Sequence, residues 1–181
     1  LQWMIEKAQI QAALCSEYLL EELQIAQKNG EYLKQIMCFD PNNQNDEMLA
    51  NQQSDAQHQP NISLEKRMQH YHLPFQTVPT RSDDVCLIAF TSGTTGVPKA
   101  SMHFHRDLIA ICDSFPKSIL QTTAQDIFIA TSPLAFTFGL GASLLFPLRV
   151  GSSVVLLAQA TPAKLLEAIH QFKATICFSV P

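Results

Sequence analysis

A short apolar run leads directly into a turn rich in glycine and hydroxyl residues, and this junction constrains the fold more than any other part of the chain. Residues 85–90 read Val-Cys-Leu-Ile-Ala-Phe without polar alternation, which is the pattern of a strand covered on both faces. The turn that follows contains Gly93, Gly96, Pro98 and Lys99. Glycine permits positive φ and a close approach of the backbone to a ligand. The sequence therefore predicts a buried strand that opens into a ligand-binding loop.

The chemistry of this loop, residues 91–99, fits a phosphate group. Successive backbone N–H groups can converge on an anion, the hydroxyls add neutral donors, and the lysine brings a mobile positive charge. A hairpin turn without a ligand is the alternative for such a cluster, but the order of the residues favours phosphate. The triphosphatase P-loop is excluded, because Gly93 is followed four spacers later by Pro98 and then Lys99 and Ala100. The predicted nucleotide-binding residues of this phosphate loop are Thr91, Ser92, Gly93, Thr94, Thr95, Gly96 and Lys99.

Helical and strand patterns alternate along the chain and predict an α/β fold, with a layered, mostly parallel sheet flanked by helices. Strands are expected over residues 10–15, 33–39, 85–90, 126–131, 153–157 and 174–180, with residues 99–104 as the second arm of a hairpin. Helices are expected over residues 2–8, 16–28, 105–115, 136–148 and 162–172, with a short one through Leu64, Met68 and Tyr71.

Two predicted helix caps and the polar composition of residues 40–60 add detail to the predicted elements. Ser16 is predicted to cap the helix over 16–28, whose apolar stripe is Leu19, Leu20, Leu23 and Ala26, and Thr161 is predicted to cap the helix that starts at Pro162. Residues 40–60 are rich in Asn, Gln and Asp and predict a flexible, solvated loop. A length of 181 residues predicts a single domain.

Composition excludes several classes of partner. A net charge of −4 and a pI near 5.8 give no basic surface for nucleic acid or anionic lipid. The most apolar window, residues 138–148, is too short to span a membrane. The five cysteines have no Cys-x-x-Cys spacing, so we expect reduced, structural thiols in a cytoplasmic protein. His70-x-His72 and His103-x-His105 lack further ligands of the usual spacing, so no metal site is predicted.

The phosphate loop resembles the signature of the adenylate-forming enzymes, the superfamily of acyl-CoA and aryl-CoA synthetases. Residues 101–107 and 132–141 look like the aryl-CoA ligase branch, closest to 2-aminobenzoate-CoA and benzoate-CoA ligases. The resemblance covers essentially the whole chain and implies that residues 1–181 are a single subdomain that binds ATP and substrate. It implies an AMP-forming acid–thiol ligase that uses ATP and Mg²⁺ to convert an aromatic carboxylic acid into an acyl-adenylate, and then transfers the acyl group to coenzyme A. Lys99 is its implied catalytic residue, placed to neutralise the departing pyrophosphate.

The resemblance also implies an acid-binding segment. On spacing alone, Phe136, Leu140 and Leu144 fall on one helical face and favour a core stripe. In the family, the same segment opens a helix beside the acyl pocket, and this places Phe136 between nucleotide and acid, at a position that is aromatic or histidine in relatives. His105 matches a histidine that follows the loop in relatives, and we expect it to cap or orient the next helix. The implied acid-binding residues are Phe136, Thr137, Phe138 and Gly139.

The ends of the chain indicate a fragment, because Leu1 is not an initiator methionine and the sequence stops at Pro181, just after a predicted strand. We therefore expect that this chain alone does not turn over, because the family's second acidic ATP motif, ribose-binding aspartate and C-terminal catalytic lysine are missing. Two alternatives stay open. One is another acyl-CoA synthetase or an amino-acid adenylating enzyme, and the other is a non-catalytic nucleotide-binding module. The acid, the pathway and the oligomeric state are not indicated by the sequence.

Overall fold

The computed structural model describes residues 1–39, 62–64, 68–69, 74–91 and 98–180. These residues form an α/β fold, as predicted, and divide into two compact units, Leu1–Val78 and Pro79–Pro181. The expected loop over residues 40–60 lies outside the described residues, as does Tyr71 of the short predicted helix, of which Leu64 and Met68 are helical. The assignment of residues 1–181 to a single ATP- and substrate-binding subdomain stays a prediction.

The first unit is a parallel sheet packed against two helices. The central strand, β2 (Gln35–Phe39), pairs in parallel with β1 (Ala12–Ser16) on one side and with β3 (Ile62–Ser63) on the other. Its elements are α1 (Gln2–Ala8), β1 (Ala12–Ser16), α2 (Leu20–Asn29), β2 (Gln35–Phe39) and β3 (Ile62–Ser63). Cys15 and Cys38 are partners in the register of β1 and β2, and their Sγ atoms lie 3.8 Å apart in the core. The buried side chains of this core are Ile5, Cys15, Leu23, Ala26, Leu33, Ile36 and Cys38.

The start of the second helix differs from the prediction. The sequence pattern places it from Ser16, but residues Glu17–Leu19 form a 3-10 turn and α2 begins at Leu20. Ser16 precedes the 3-10 turn without a side-chain capping bond, so the predicted cap is wrong. Because the tighter turn changes the angular position of each side chain, Leu19 is 52% exposed, whereas Leu23 and Ala26 of the predicted stripe are buried.

The second unit begins with the hairpin that carries the phosphate loop. Strand β4 (Val85–Thr91) pairs antiparallel with β5 (Lys99–Phe104), which confirms the predicted return strand. The expectation that residues 85–90 are covered on both faces is wrong: Cys86 to Phe90 are half-buried and Val85 is exposed. In the described part of the chain β4 pairs with β5 in a two-stranded sheet, so the apolar composition of the strand is not matched by full burial.

The rest of this unit is a parallel sheet of three strands. Its central strand, β6 (Ile127–Ala130), lies between β7 (Ser153–Val155) and β8 (Ile176–Phe178). Helix α6 begins at Pro162, and Thr161 Oγ1 accepts a hydrogen bond from the Lys164 N–H, which confirms the predicted cap. Phe128 of β6 forms a buried cluster with Cys112 and Phe146. The elements are α3 (His105–Ser114), β6 (Ile127–Ala130), α4 (Thr137–Leu140), α5 (Phe146–Val150), β7 (Ser153–Val155), α6 (Pro162–Phe172) and β8 (Ile176–Phe178).

The helix predicted over residues 136–148 is a composite of three pieces. Helix α4 is followed by a π-helical turn, Gly141–Leu145, in which the Phe146 N–H donates to the Gly141 carbonyl, and then by α5. Pro147, which has no N–H to donate to the helical ladder, lies just after this turn. We call these three pieces, residues 137–150, the helical run. The π-helical turn contains about one more residue than an α-helical turn, so the side chains that follow it point in other directions than they would in a regular helix.

The amino ends of β6 and β8 are held together by Asp126. Its Oδ2 accepts from the Thr123 N–H at 2.7 Å, and its Oδ1 accepts from Thr175 Oγ1 at 2.8 Å. The hydroxyl of Thr175 also accepts from the Ile127 N–H at 3.0 Å. The backbone hydrogen bond from Thr123, and then the one from the Thr175 side chain, lower the pKa of Asp126.

We expect Asp126→Asn to lower the free energy of unfolding by roughly 0.5–1 kcal/mol at neutral pH, because the amide cannot accept all these bonds. A depressed folded-state pKa contributes stability above the ordinary carboxyl value of about 4, and that contribution is lost as pH falls through the folded-state pKa. The difference between wild type and variant should therefore shrink in acid. Urea unfolding followed by far-UV circular dichroism at several pH values measures it. Asp83→Asn, at an exposed carboxylate, is the control, and equal, pH-independent losses in both variants would contradict the prediction.

Candidate functional site

The candidate acid site lies at the carboxyl end of the central strand. In parallel sheets ligands bind beyond the carboxyl ends of the strands, where the connecting segments meet. Residues 131–139 leave β6 at this edge, and β8 ends beside them. The Thr131 N–H donates to the Phe178 carbonyl at 3.0 Å, and Thr131 Oγ1 lies 3.4 Å from Ser179 Oγ. The predicted acid-binding residues are thus placed at the edge where this fold class binds its ligands.

Phe136 lies at the turn that starts the helical run. Its N–H donates to the Pro133 carbonyl at 3.1 Å and its own carbonyl accepts from the Leu140 N–H at 2.8 Å. The backbone of Phe136 is extended and its side chain is 65% exposed. Leu144 is also exposed, so the core stripe expected from the spacing of Phe136, Leu140 and Leu144 is wrong. Phe136 and Leu144 lie away from the core, to which Ala142 and Phe146 of the helical run contribute instead.

Phe138 is anchored to the core of the sheet. Its ring meets Phe178 edge to face, with centroids 6.0 Å apart and an interplanar angle of 73°. Phe178 in turn stacks on the fully buried Phe128 at 6.2 Å. Edge-to-face and offset pairs are the favoured arrangements of aromatic rings. The two phenylalanines of the segment therefore differ: Phe138 belongs partly to the core, whereas Phe136 is mainly exposed, as is Thr137.

Gly139 is required by a close backbone approach. A Cβ atom at this position would lie 2.0 Å from the carbonyl oxygen of Pro133 and 2.6 Å from that of Ser132. Both are main-chain atoms, which cannot turn aside as a flexible side chain could. The buried glycine therefore lets the first turn of the helical run lie directly on the loop that leaves β6.

The hairpin places Thr91 and Lys99 at the two ends of the phosphate loop. They are the last pair in the register of β4 and β5, so their side chains emerge on the same face of the hairpin. Both residues are exposed. Ser92, Gly93, Thr94, Thr95 and Gly96 lie outside the described residues. The structure thus brings together two members of the predicted nucleotide-binding set, on a different element from the one that carries Phe136 to Gly139.

The helix after the hairpin is capped by a residue that the sequence analysis missed. Asp107 Oδ2 accepts from the Phe104 N–H at 2.9 Å, whereas His105 contributes its backbone N–H to the Asp84 carbonyl at 3.2 Å. Arg106 lies over the Phe104 ring at 4.8 Å. An acidic residue three positions into a helix is a known capping signal and could have identified Asp107. The side chain of Asp107 therefore takes part of the capping role predicted for His105.

An ion pair between Asp113 and Arg149, which the sequence did not predict, joins α3 to the helical run. The Arg149 guanidinium donates from Nε to Asp113 Oδ1 and from Nη2 to Oδ2, each at 3.1 Å. Hydrogen bonding to Arg149 lowers the pKa of Asp113 and raises that of Arg149. The two residues are distant in sequence and no local pattern links them, so only the folded structure reveals the pair.

The described residues contain neither a metal-binding cluster nor a membrane-spanning helix. Across residues 1–39, 62–64, 68–69, 74–91 and 98–180, no three His, Cys, Asp or Glu side chains are close enough to hold a metal ion. His70 and His72 lie outside these ranges. Within the same ranges, no helix is both long enough and apolar enough to cross a membrane. None of the five cysteines, all of which are described, forms a disulfide; Cys15, Cys38 and Cys112 are buried as expected, but Cys177 is exposed.

We expect Gly139→Ala to destabilise the chain by about 1–3 kcal/mol, because the added methyl forces the helical run away from the backbone of Pro133. Urea unfolding followed by far-UV circular dichroism measures the change. Ala135→Gly, at an exposed position in the same segment, is the matched control and should have a smaller effect. A Gly139→Ala variant as stable as wild type would show that the close approach is not a constraint.

Comparison with protein families gives a match over the whole chain. The family model described as "AMP-binding enzyme" matches residues 1–181. Among individual relatives, the benzoate–CoA ligase of Thauera aromatica is 39% identical over 108 residues, which cover 59% of this chain and 20% of that protein. The anthranilate–CoA ligase of Pseudomonas aeruginosa is 34% identical over 97 residues, covering 53% of this chain and 19% of that protein. The matched region is thus about a fifth of each relative.

Solved structures show that the fold is shared. The anthranilate CoA ligase AuaEII in complex with anthranoyl-AMP superposes with a TM-score of 0.79 at 22% identity, over 97% of this chain and 32% of that one. ATP-bound MatB from Rhodopseudomonas palustris gives a TM-score of 0.74 at 22% identity, over 97% of this chain and 31% of MatB. The chain spans about a third of the length of these structures.

Proposed function

The chain belongs to the AMP-binding enzyme family, and from this premise we propose that it is part of an ATP-dependent ligase that joins an aromatic carboxylic acid to coenzyme A. In the first step a carboxylate oxygen bonds to the α-phosphorus of ATP and the bond to the pyrophosphate oxygen breaks. In the second step the sulfur of coenzyme A bonds to the acyl carbon and AMP leaves. The aromatic class of acid is supported by the benzoate and anthranilate ligases among the relatives.

The pairing of Thr91 with Lys99 is the observation that carries the nucleotide part of the proposal. It places a threonine and a lysine opposite each other in the hairpin, where the phosphate loop begins and ends. In adenylation the departing pyrophosphate gathers negative charge, and fixed donors that meet this charge lower the barrier. We assign the β- and γ-phosphates to Thr91, Ser92, Gly93, Thr94, Thr95, Gly96 and Lys99.

Mg²⁺ and coenzyme A complete the proposed set of small molecules. No described residues form a cluster of acidic ligands, so the charge neutralisation assigned to this chain comes from Lys99 and the donors of the phosphate loop. The free cysteines suit a reducing compartment, in keeping with a cytoplasmic protein.

The acid is assigned to the segment of Phe136, Thr137, Phe138 and Gly139. A planar aromatic acid gains from contact with phenyl rings, and Gly139 lets the turn that carries them lie directly on the loop that leaves β6. Because Phe136 is exposed and Phe138 is packed on Phe178, we assign direct contact with the acid mainly to Phe136. A phenyl ring cannot donate a hydrogen bond, so Phe136 acts by shape and not as a polar group.

We predict that Lys99→Ala in the complete enzyme lowers carboxylate-dependent ATP–pyrophosphate exchange by at least about tenfold, which corresponds to roughly 1.4 kcal/mol of transition-state stabilisation. The variant loses the cation that faces the departing pyrophosphate. Lys164→Ala, at an exposed lysine on α6, is the matched control and should keep wild-type exchange. Unchanged exchange in Lys99→Ala would remove Lys99 from the site. In an assay of aryl-CoA formation from acid, ATP and coenzyme A, the 181-residue chain alone should give no product.

We predict that Phe136→Ala in the complete enzyme raises the KM for an aromatic acid by roughly threefold to tenfold, in line with the usual strength of aromatic contacts. Its effect on unfolding should be small because the ring is exposed, whereas Phe138→Ala should also lower stability through loss of the Phe178 contact.

The class of acid is tested by the exchange assay on the complete enzyme, which compares benzoate and 2-aminobenzoate with acetate and alanine. A preference for acetate or alanine would favour the other acyl-CoA or amino-acid adenylating enzymes. ATP binding without exchange would favour a non-catalytic module.

A further inference from the structure

An ion pair joins the helices that follow the two proposed substrate segments. Helix α3 starts directly after β5, the strand that begins at Lys99, and Asp113 lies at its last turn. The helical run starts directly after Phe136, and Arg149 lies at its last turn. Two hydrogen bonds of 3.1 Å connect Arg149 to Asp113. A forked pair of this kind fixes the direction of approach as well as the distance.

Packing between these helices is incomplete. Cys112 and Phe146 meet in the buried cluster around Phe128. Beside this contact lies a solvent-open groove of about 410 Å³ lined by Leu108, Ile109, Cys112, Leu145, Leu148 and Arg149. Side chains on opposite walls of such a groove make fewer contacts with one another than side chains in a close-packed interface. The ion pair is therefore a larger part of the connection than it would be in a tightly packed interface.

We propose that Asp113 and Arg149 are positioning residues, which hold the Lys99 hairpin and the Phe136 segment in a fixed relative placement for adenylation. The inference rests on the proposed function, because only a reaction between the two substrates requires that placement. The carboxylate oxygen must meet the α-phosphorus in line with the departing pyrophosphate, and a misplacement of about 1 Å can reduce such a step about a hundredfold. Neither residue is assigned to a substrate, so each substrate should still bind at its own segment.

This role differs from a purely stabilising ion pair. The side chains of Arg149 and Asp113 are 40% and 34% exposed, and pairs this exposed contribute little to the free energy of unfolding. A stabilising pair would lower the unfolding midpoint and, through a smaller folded fraction, the apparent kcat, with KM unchanged. A positioning pair lowers kcat while the unfolding midpoint stays close to that of wild type, so the midpoint separates the two roles, and unchanged KM values show that substrate binding is retained.

The test uses the complete enzyme with Asp113→Asn, Arg149→Gln and the double variant, each measured by ATP–pyrophosphate exchange with benzoate and 2-aminobenzoate. We expect each single variant to lower kcat by roughly fivefold and the double variant to lower it no further, because residues that act through one contact are not additive. The KM values for ATP and for the acid should stay within about twofold of wild type. Lys117→Ala, which removes another cation 3.8 Å from Asp113, is the matched control and should keep wild-type kcat.

Amide hydrogen exchange of the same proteins gives a readout that does not depend on activity. We expect faster exchange over residues 105–114 and 137–150 in both single variants. Additive losses of kcat, unchanged kcat, or a fall in the unfolding midpoint that accounts for the lost activity would each overturn the positioning role. If the wild-type enzyme activates no acid, the proposed function fails on that result alone. Independently of activity, unchanged amide exchange over residues 105–114 and 137–150 in the variants would show that the ion pair does not connect the two helices.

Discussion

The burial of strand β6 is the constraint on which the rest of the second unit depends. Phe128 and Ile129 are fully buried at its centre, and β7 and β8 pair with it in parallel on either side. A large aromatic ring completely removed from water is among the strongest single contributions to a core of this size. The position of Phe128 fixes that of Phe178 by stacking, and Phe178 in turn supports Phe138. The core of the sheet therefore extends, ring by ring, to the edge where the acid is proposed to bind.

Proline shapes the helices around this sheet as strongly as hydrophobic packing does. Pro147 interrupts the regular hydrogen-bond ladder of the helical run, and Pro116 lies within the π-helical turn that follows α3. Each interruption changes which side chains face the sheet. Arg149 lies just after one of them, at the position from which its guanidinium meets Asp113. The π-helical turn before Pro147 and the ion pair of Arg149 with Asp113 therefore lie in the same part of the helical run.

Much of the fold follows from the sequence because its signals are local. The alternation of strand and helix patterns predicted the parallel sheets, and Thr161 with Pro162 predicted the start of α6 to the residue. The segment over residues 136–148 was predicted as a regular helix because apolar spacing does not reveal a π-helical turn. Of the proposed site, the pairing of Thr91 with Lys99 agrees with the predicted hairpin, and the role of Phe136 stays a prediction from the resemblance. The Asp113–Arg149 pair and the support of Phe138 by Phe178 depend on contacts between distant parts of the chain, which a single sequence does not encode in any local pattern.

The neighbouring thiols of Cys15 and Cys38 have a consequence for how the first unit can vary. The two positions are partners on adjacent parallel strands, and their sulfur atoms share one region of the core. Because protein interiors are close-packed, a bulkier side chain on one strand needs a smaller one opposite it. Homologous chains should accordingly change these two positions together, keeping their summed volume nearly constant while the identity of each residue drifts.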